Sequence, residues 1–206
     1  MITLVKNDIP STDINIPPSS DTEFLGTKLL LPEGNISLFN CYCPPDRKLD
    51  LDRMQLSNDE ENIIVGDMNS HSQSWGYPDL NTRGEEIEEW QGENRLILLN
   101  KPDDKPSFYS RTWLTSTTPD IAFATNNISK GSKQEVLYQL ATSDQRPIII
   151  TIKRKHSPCN TYCTPDGTTK KQTGIFLKNS QAPMRPKSIA KQIKSTHPTP
   201  HCQKQF

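Results

Sequence analysis

Three consecutive β-formers, Ile63-Ile64-Val65, run into Gly66, and an acid, an amide and an imidazole then emerge at Asp67, Asn69 and His71. An apolar run of this kind folds as a buried strand, and a tight turn at its end holds Asp67 and Asn69 rigidly on one side. That pairing suits chemistry at a phosphodiester, where a carboxylate manages protons or metal and an amide grips a phosphoryl oxygen. Gly-Asp-x-Asn is also ordinary turn chemistry. The segment by itself leaves both possibilities open.

The zero net charge hides two different regions. Residues 1–152 hold 13 of the 24 Lys and Arg but 23 of the 24 Asp and Glu, a balance of −10, and residues 153–206 carry +10. With 32% apolar residues, 17 prolines and a mean hydropathy of −0.71, part of the chain cannot bury a core. After Lys155 the sequence loses all periodicity, so two regions are expected: a folded domain over residues 1–153 and a basic, disordered tail over 154–206.

No apolar run approaches the ~18 residues of a membrane span, and no charged leader precedes a long apolar stretch. An intracellular, reducing location is therefore expected, with no membrane partner. Cys41 and Cys43 alternate with Asn40 and Tyr42 in a strand-like run and share one face, as small buried hydrophobes. His156, Cys159, Cys163, His197, His201 and Cys202 sit in unpatterned sequence too widely spread for a zinc site.

Strand patterns cover residues 23–31 and 35–43, joined through Pro32-Glu33-Gly34 as a hairpin, and then 62–65, 107–113, 121–124, 136–140 and 147–152. Residues 1–6 open directly as a strand, 49–56 suggest a short helix, and 96–99 form a buried apolar piece. Residues 83–94 are the best helix, with Ile87 and Trp90 on one face and Glu85, Glu86, Glu88 and Glu89 solvating the rest. Trp75, Trp90 and Trp113 are expected in core or rim packing, although an exposed Trp113 could contact DNA. Strands outnumber helices, so the class is α+β and layered.

Three islands place a polar pair beside a strand: Asp67/Asn69, Thr117-Thr118-Pro119-Asp120 before Ile121, and Ser143-Asp144-Gln145 before Arg146-Pro147. Together with Tyr42-x-Pro-Pro, Ser74-Trp75-Gly76 and the Arg83-Gly84 helix start, their order resembles the endonuclease/exonuclease/phosphatase superfamily. The likeness is greatest to the endonuclease domain of non-LTR (LINE- or jockey-like) retrotransposons, and it covers about residues 1–153. It implies a partial four-layer α/β sandwich of two mixed β-sheets with flanking helices. It also implies that Asp67 orients water or protonates the leaving oxygen, that Asn69 and Tyr42 hold the scissile phosphate, and that Asp120 orients a catalytic histidine. By the same likeness Asp144 lies beside a Mg²⁺ ion, Ser107 is a hydroxyl contact to DNA, DNA is the partner, and a functional protein would be nuclear.

Two departures qualify these expectations. The family closes with Ser-Asp-His, but position 145 is glutamine, whose amide cannot accept a proton from water near neutral pH. Loss of a general base costs about 10²–10⁴ in rate. The family also begins with a strand bearing an Asn and another ending in a metal-binding Glu. Neither Asn7 nor Glu23 sits in that context, which implies missing first strands and an incomplete Mg²⁺ site.

The expected function is therefore a retrotransposon-derived, Mg²⁺-dependent DNA endonuclease, weakly active or inactive. The alternative is a non-catalytic nucleic-acid-binding remnant, with the +10 tail contributing by counterion release. A small-molecule or lipid phosphoesterase is the less favoured third option.

Overall fold

A computed structural model of the chain describes residues 1–57, 60–138 and 143–153, and the backbone of 175–177. Its strands are β1 (Ser11–Ile14), β2 (Glu23–Leu29), β3 (Ile36–Tyr42), β4 (Glu61–Asp67), β5 (Leu96–Leu98), β6 (Phe108–Ser110), β7 (Thr115–Thr117), β8 (Asp120–Thr125), β9 (Lys133–Val136), β10 (Ile148–Thr151) and β11 (Ile175–Leu177). The α-helices are α1 (Thr82–Glu93) and the single turn α2 (Asn126–Ser129).

Six strands form the main sheet in the order β1-β2-β3-β4-β8-β5, mixed because β3 and β4 run parallel and the other pairs antiparallel. Pro32-Glu33-Gly34 does connect β2 to β3, with Gly34 at φ 116°, a conformation glycine adopts without steric cost. A second sheet, β11-β10-β9, is antiparallel throughout, and β6 pairs with β7 as a separate hairpin.

Alternation along the central strands sends side chains into two cores. Phe39, Ile64, Ile121 and Phe123 point to one face and pack with Ile87 and Trp90 of α1, and with Trp75 and Met54. Leu38, Ile63, Val65, Ala122 and Ala124 point to the other and meet Ile150 of the second sheet. Both faces of β4 are thus covered, which is why its sequence is a continuous apolar run rather than an alternating one. The α+β class and the packed sheets match the expectation; the described residues form helix, sheet and sheet layers.

Asn81 caps α1 by accepting the Gly84 N–H at 2.8 Å, and Ile87 and Trp90 are buried on its inner face as expected. Cys41 and Cys43 are buried free thiols, and burial raises the Cys41 thiol well above its ordinary value, leaving it neutral and inert.

Some expectations fail. Residues 1–6 form no strand; Val5 and Ile9 instead lie against the second core, and the first strand is the polar Ser11–Ile14, which β2 recruits as an edge. Of the strand expected over 136–140, Val136 closes β9, residues 137 and 138 lie past its end, and 139 and 140 lie outside the described residues. Pairing with β10 begins at Lys133, where Gln134 and Val136 turn inward. Residues 49–56 yield only one 3₁₀ turn at Leu51–Arg53. Trp75 and Trp90 are buried, but Trp113 is 77% exposed at the β6–β7 turn. The expected disorder of 154–206 and the spread of His and Cys there lie outside the described residues, apart from the short strand β11.

Candidate active site

Strand register assembles the site. Tyr42 of β3 pairs with Asp67 of β4, which pairs with Asp120 of β8. All three share the parity of the residues facing the second sheet, so they form one row across three adjacent strands, about 4.8 Å apart. Gly66 permits the close approach of β3 and β4, because a Cβ there would fall 1.9 Å from the Cys41 carbonyl oxygen.

The row brings two acids together out of water: Asp67 is 3% exposed and Asp120 is buried. Burial first, and the Asp120 carboxylate second, push the Asp67 carboxyl up to about 7, against the opposing pull of the Asn69 N–H and Arg83. A carboxyl that titrates near neutrality can deliver or take a proton at working pH.

Asn69 adopts φ 46°, a left-handed conformation that asparagine tolerates. Its N–H donates to Asp67 Oδ1 at 3.3 Å, and its Nδ2 donates to the Cys43 carbonyl at 3.0 Å, which fixes the amide beside the β3 end. The Arg83 guanidinium, from the first turn of α1, locks this corner. It donates to the carbonyls of Met68 and Asn69 at 3.1 Å each, of Pro44 at 3.2 Å and Pro45 at 3.1 Å, and of Arg47. One side chain so ties the loop after β4 to the loop after β3.

Position 145 does come to the site. Gln145 bridges Phe108, and the Arg146 N–H donates to the Ser107 carbonyl at 2.7 Å. Ser107 is fully buried, and its hydroxyl donates to Asp120 Oδ2 at 2.5 Å. The carboxylate expected to orient an imidazole is therefore bonded to a hydroxyl, and Ser107, expected at the DNA surface, is enclosed behind it.

Asp144 does not join the row. It is half exposed, its Oδ1 takes the Arg111 Nε at 2.9 Å, and its carbonyl accepts the Tyr109 N–H. Among the described residues no group of three or more His, Cys, Asp or Glu could hold a metal ion. These residues do not assemble the Mg²⁺ ligand set that the resemblance implies.

The structure adds two aromatic residues that no spacing rule singles out as one unit. Burial raises the Tyr77 phenol, with Asp67 and Asp120 adding to the effect, while hydrogen bonds to Thr117 and Thr118 oppose it. His71 stacks on Tyr77 with ring centroids 4.1 Å apart. Both residues reach the site through the loop between β4 and α1, which sequence distance alone could not place.

The sequence profile of the endonuclease-reverse transcriptase family matches residues 36–149. Among curated proteins there is no match. Among solved structures, the endonuclease domain of TRAS1, a telomere-specific non-LTR retrotransposon, is similar with a TM-score of 0.61 and 21% identity over 71% of this chain and 68% of that one. An endonuclease/exonuclease/phosphatase family protein from Bacteroides thetaiotaomicron gives 0.40 and 10% identity over 70% of this chain and 64% of its own. A mannosyl-6-phosphatase from the same organism gives 0.40 and 11% identity over 65% and 57%. With the family profile matched over more than half of its residues, the chain belongs to the endonuclease-reverse transcriptase family, and it shares its fold with the TRAS1 domain.

Proposed function

We propose that this chain binds DNA at the Tyr42–Asp67–Asp120 row and hydrolyses its phosphodiester backbone slowly or not at all. The observation that carries the reading is the in-register, buried Asp67/Asp120 pair with Asn69 fixed beside it. Asp67 would exchange a proton with the leaving or attacking oxygen, and Asn69 and Tyr42 would hold the phosphate. Trp113, exposed at the β6–β7 turn, offers a flat apolar face to the duplex.

Two features favour a low rate. Gln145 stands where a general base is needed, and Asp144 is neutralised by Arg111 rather than held ready for a cation. The same two features favour the second reading, a nucleic-acid-binding remnant that grips DNA without cutting it. No helix among the described residues is long and apolar enough to cross a membrane, and a DNA-directed protein of this type would act in the nucleus.

Full-length protein incubated with supercoiled plasmid, with Mg²⁺ or with chelator, tests the reading. Slow nicking is expected, lost in Asp67→Ala and raised at least tenfold in Gln145→His, which returns a base beside Ser107 and Asp120. Binding without nicking in both wild type and Gln145→His supports the remnant. Absence of both binding and nicking refutes the DNA reading altogether.

A further inference from the structure

We propose that His71, oriented by Asp79 and stacked on Tyr77, is a phosphate-binding imidazole at the lip of the Asp67/Asp120 site, taking a backbone phosphate adjacent to the one at Asn69. This rests on the reading of the row as a DNA site and adds a second anchoring point to it.

The residue is held at every point except one. Its backbone N–H donates to Asn81 Oδ1 at 3.0 Å, and its carbonyl accepts the Asn81 N–H at 3.2 Å. Gly84 lets the start of α1 close over that carbonyl, since a Cβ there would fall 1.9 Å from the oxygen. The ring lies 13° from parallel with Tyr77, and Nδ1 meets Asp79 Oδ2 at 3.0 Å. Nε2 has no partner among the described residues, and the side chain is 42% exposed. The Asp79 carboxylate facing Nδ1 favours a proton there and leaves Nε2 turned away from it.

The stacked pair borders the site. Tyr77 is bonded to Thr117 and Thr118, which lead directly into Asp120, so the stacked pair spans from the loop after β4 to the start of β8. Asn69 and His71 are two residues apart, which limits their Cα separation to ~7 Å. Phosphates on one strand recur every ~3.4 Å of axial rise, so neighbouring phosphates lie within that reach.

The charges around the ring define the ligand. Asp79 faces Nδ1, Asp67 and Asp120 lie beyond Tyr77, and Glu88 accepts from Ser72 and Ser74 on the same loop. Arg83 spends its guanidinium on five carbonyls, and Arg111 pairs with Asp144. An imidazolium that donates Nδ1–H to Asp79 and Nε2–H to a phosphate supplies the positive contact that those carboxylates cannot.

The test follows the imidazole itself. In full-length protein labelled with ¹⁵N-histidine, the His71 signals are assigned by their loss in His71→Gln and titrated from pH 5 to 8.5, with and without a short DNA duplex at low salt. The duplex is expected to raise the His71 midpoint by about one pH unit, as an anion against the charged form does, and Asp79→Asn is expected to diminish that rise. His71→Gln should weaken duplex binding about fivefold at pH 6 and much less at pH 8.5. Duplex binding that leaves the His71 midpoint unmoved overturns this inference and spares the DNA reading. A chain that binds no duplex even at low salt overturns both.

Discussion

Replacing Asp67 with asparagine tests the central electrostatic claim without any need for activity. In the folded protein the Asp67 carboxyl titrates at about 7, against an ordinary value of 3.8 in an unfolded chain. Between those values the native state holds a proton that the unfolded state has released. Stability from this group is therefore greatest at low pH and falls as pH rises toward 7. About two pH units of that gap lie between pH 5 and 7, and at 1.36 kcal/mol each they cost the native state about 3 kcal/mol by pH 8. Asparagine mimics the protonated acid and does not titrate. Urea unfolding followed by fluorescence of the buried Trp75 and Trp90 should show Asp67→Asn more stable than wild type by about 1.5 kcal/mol at pH 5, where the unfolded acid has already released its proton. At pH 8 that margin should be wider by about 3 kcal/mol. Carboxylates remote from the Asp67/Asp120 pair titrate alike in both proteins and cancel in the difference. A variant–wild-type difference that is the same at pH 5 and pH 8 would refute the claim that the buried acid pair stores this cost.

Three further outcomes are expected from the same unfolding assay. Gly66→Ala places a methyl 1.9 Å from the Cys41 carbonyl and should cost more than about 3 kcal/mol, because strand backbones rather than a flexible side chain must move. Arg83→Lys keeps the charge but loses the planar fork that reaches five carbonyls, and should cost about 1–3 kcal/mol; an unchanged midpoint would show that the clamp is dispensable. Ser107→Ala removes the hydroxyl that donates to buried Asp120 and should cost about 1–3 kcal/mol at pH 8, with a smaller loss in the Asp67→Asn background, where the competing charge is gone.

Much of the main sheet was legible because its strands bury one or both faces. The runs ending at Tyr42, Asp67 and Thr125 carry enough apolar residues that no other element fits them, and α1 announces itself through Asn81, its acidic first turn and the Ile87/Trp90 face. Elements held mainly by their neighbours were not legible. Ser-Thr-Asp-Ile of β1 and Thr-Ser-Thr of β7 have no core pattern, and their pairing partners confer their shape. Ser107 illustrates the limit within the site. The family likeness implies a contact to DNA there, yet Ser107 is fully buried against Asp120, beside the turn of chain that carries Gln145.

Local chemistry written in the chain determines which residues are available here: a glycine after an apolar run, an acid and an amide just beyond it, and, at the position where the family likeness expects a base, a glutamine. Those identities need no fold to be read, because each is a side chain in the sequence. Which of them meet was decided only by tertiary structure. Strand register sets Tyr42, Asp67 and Asp120 in one row although 25 and 53 positions separate them in turn, and a shift by one residue would send each to the opposite face. Burial then converts that proximity into a carboxyl poised near neutrality, a property that belongs to the dielectric around Asp67 and to the charge beside it rather than to aspartate itself.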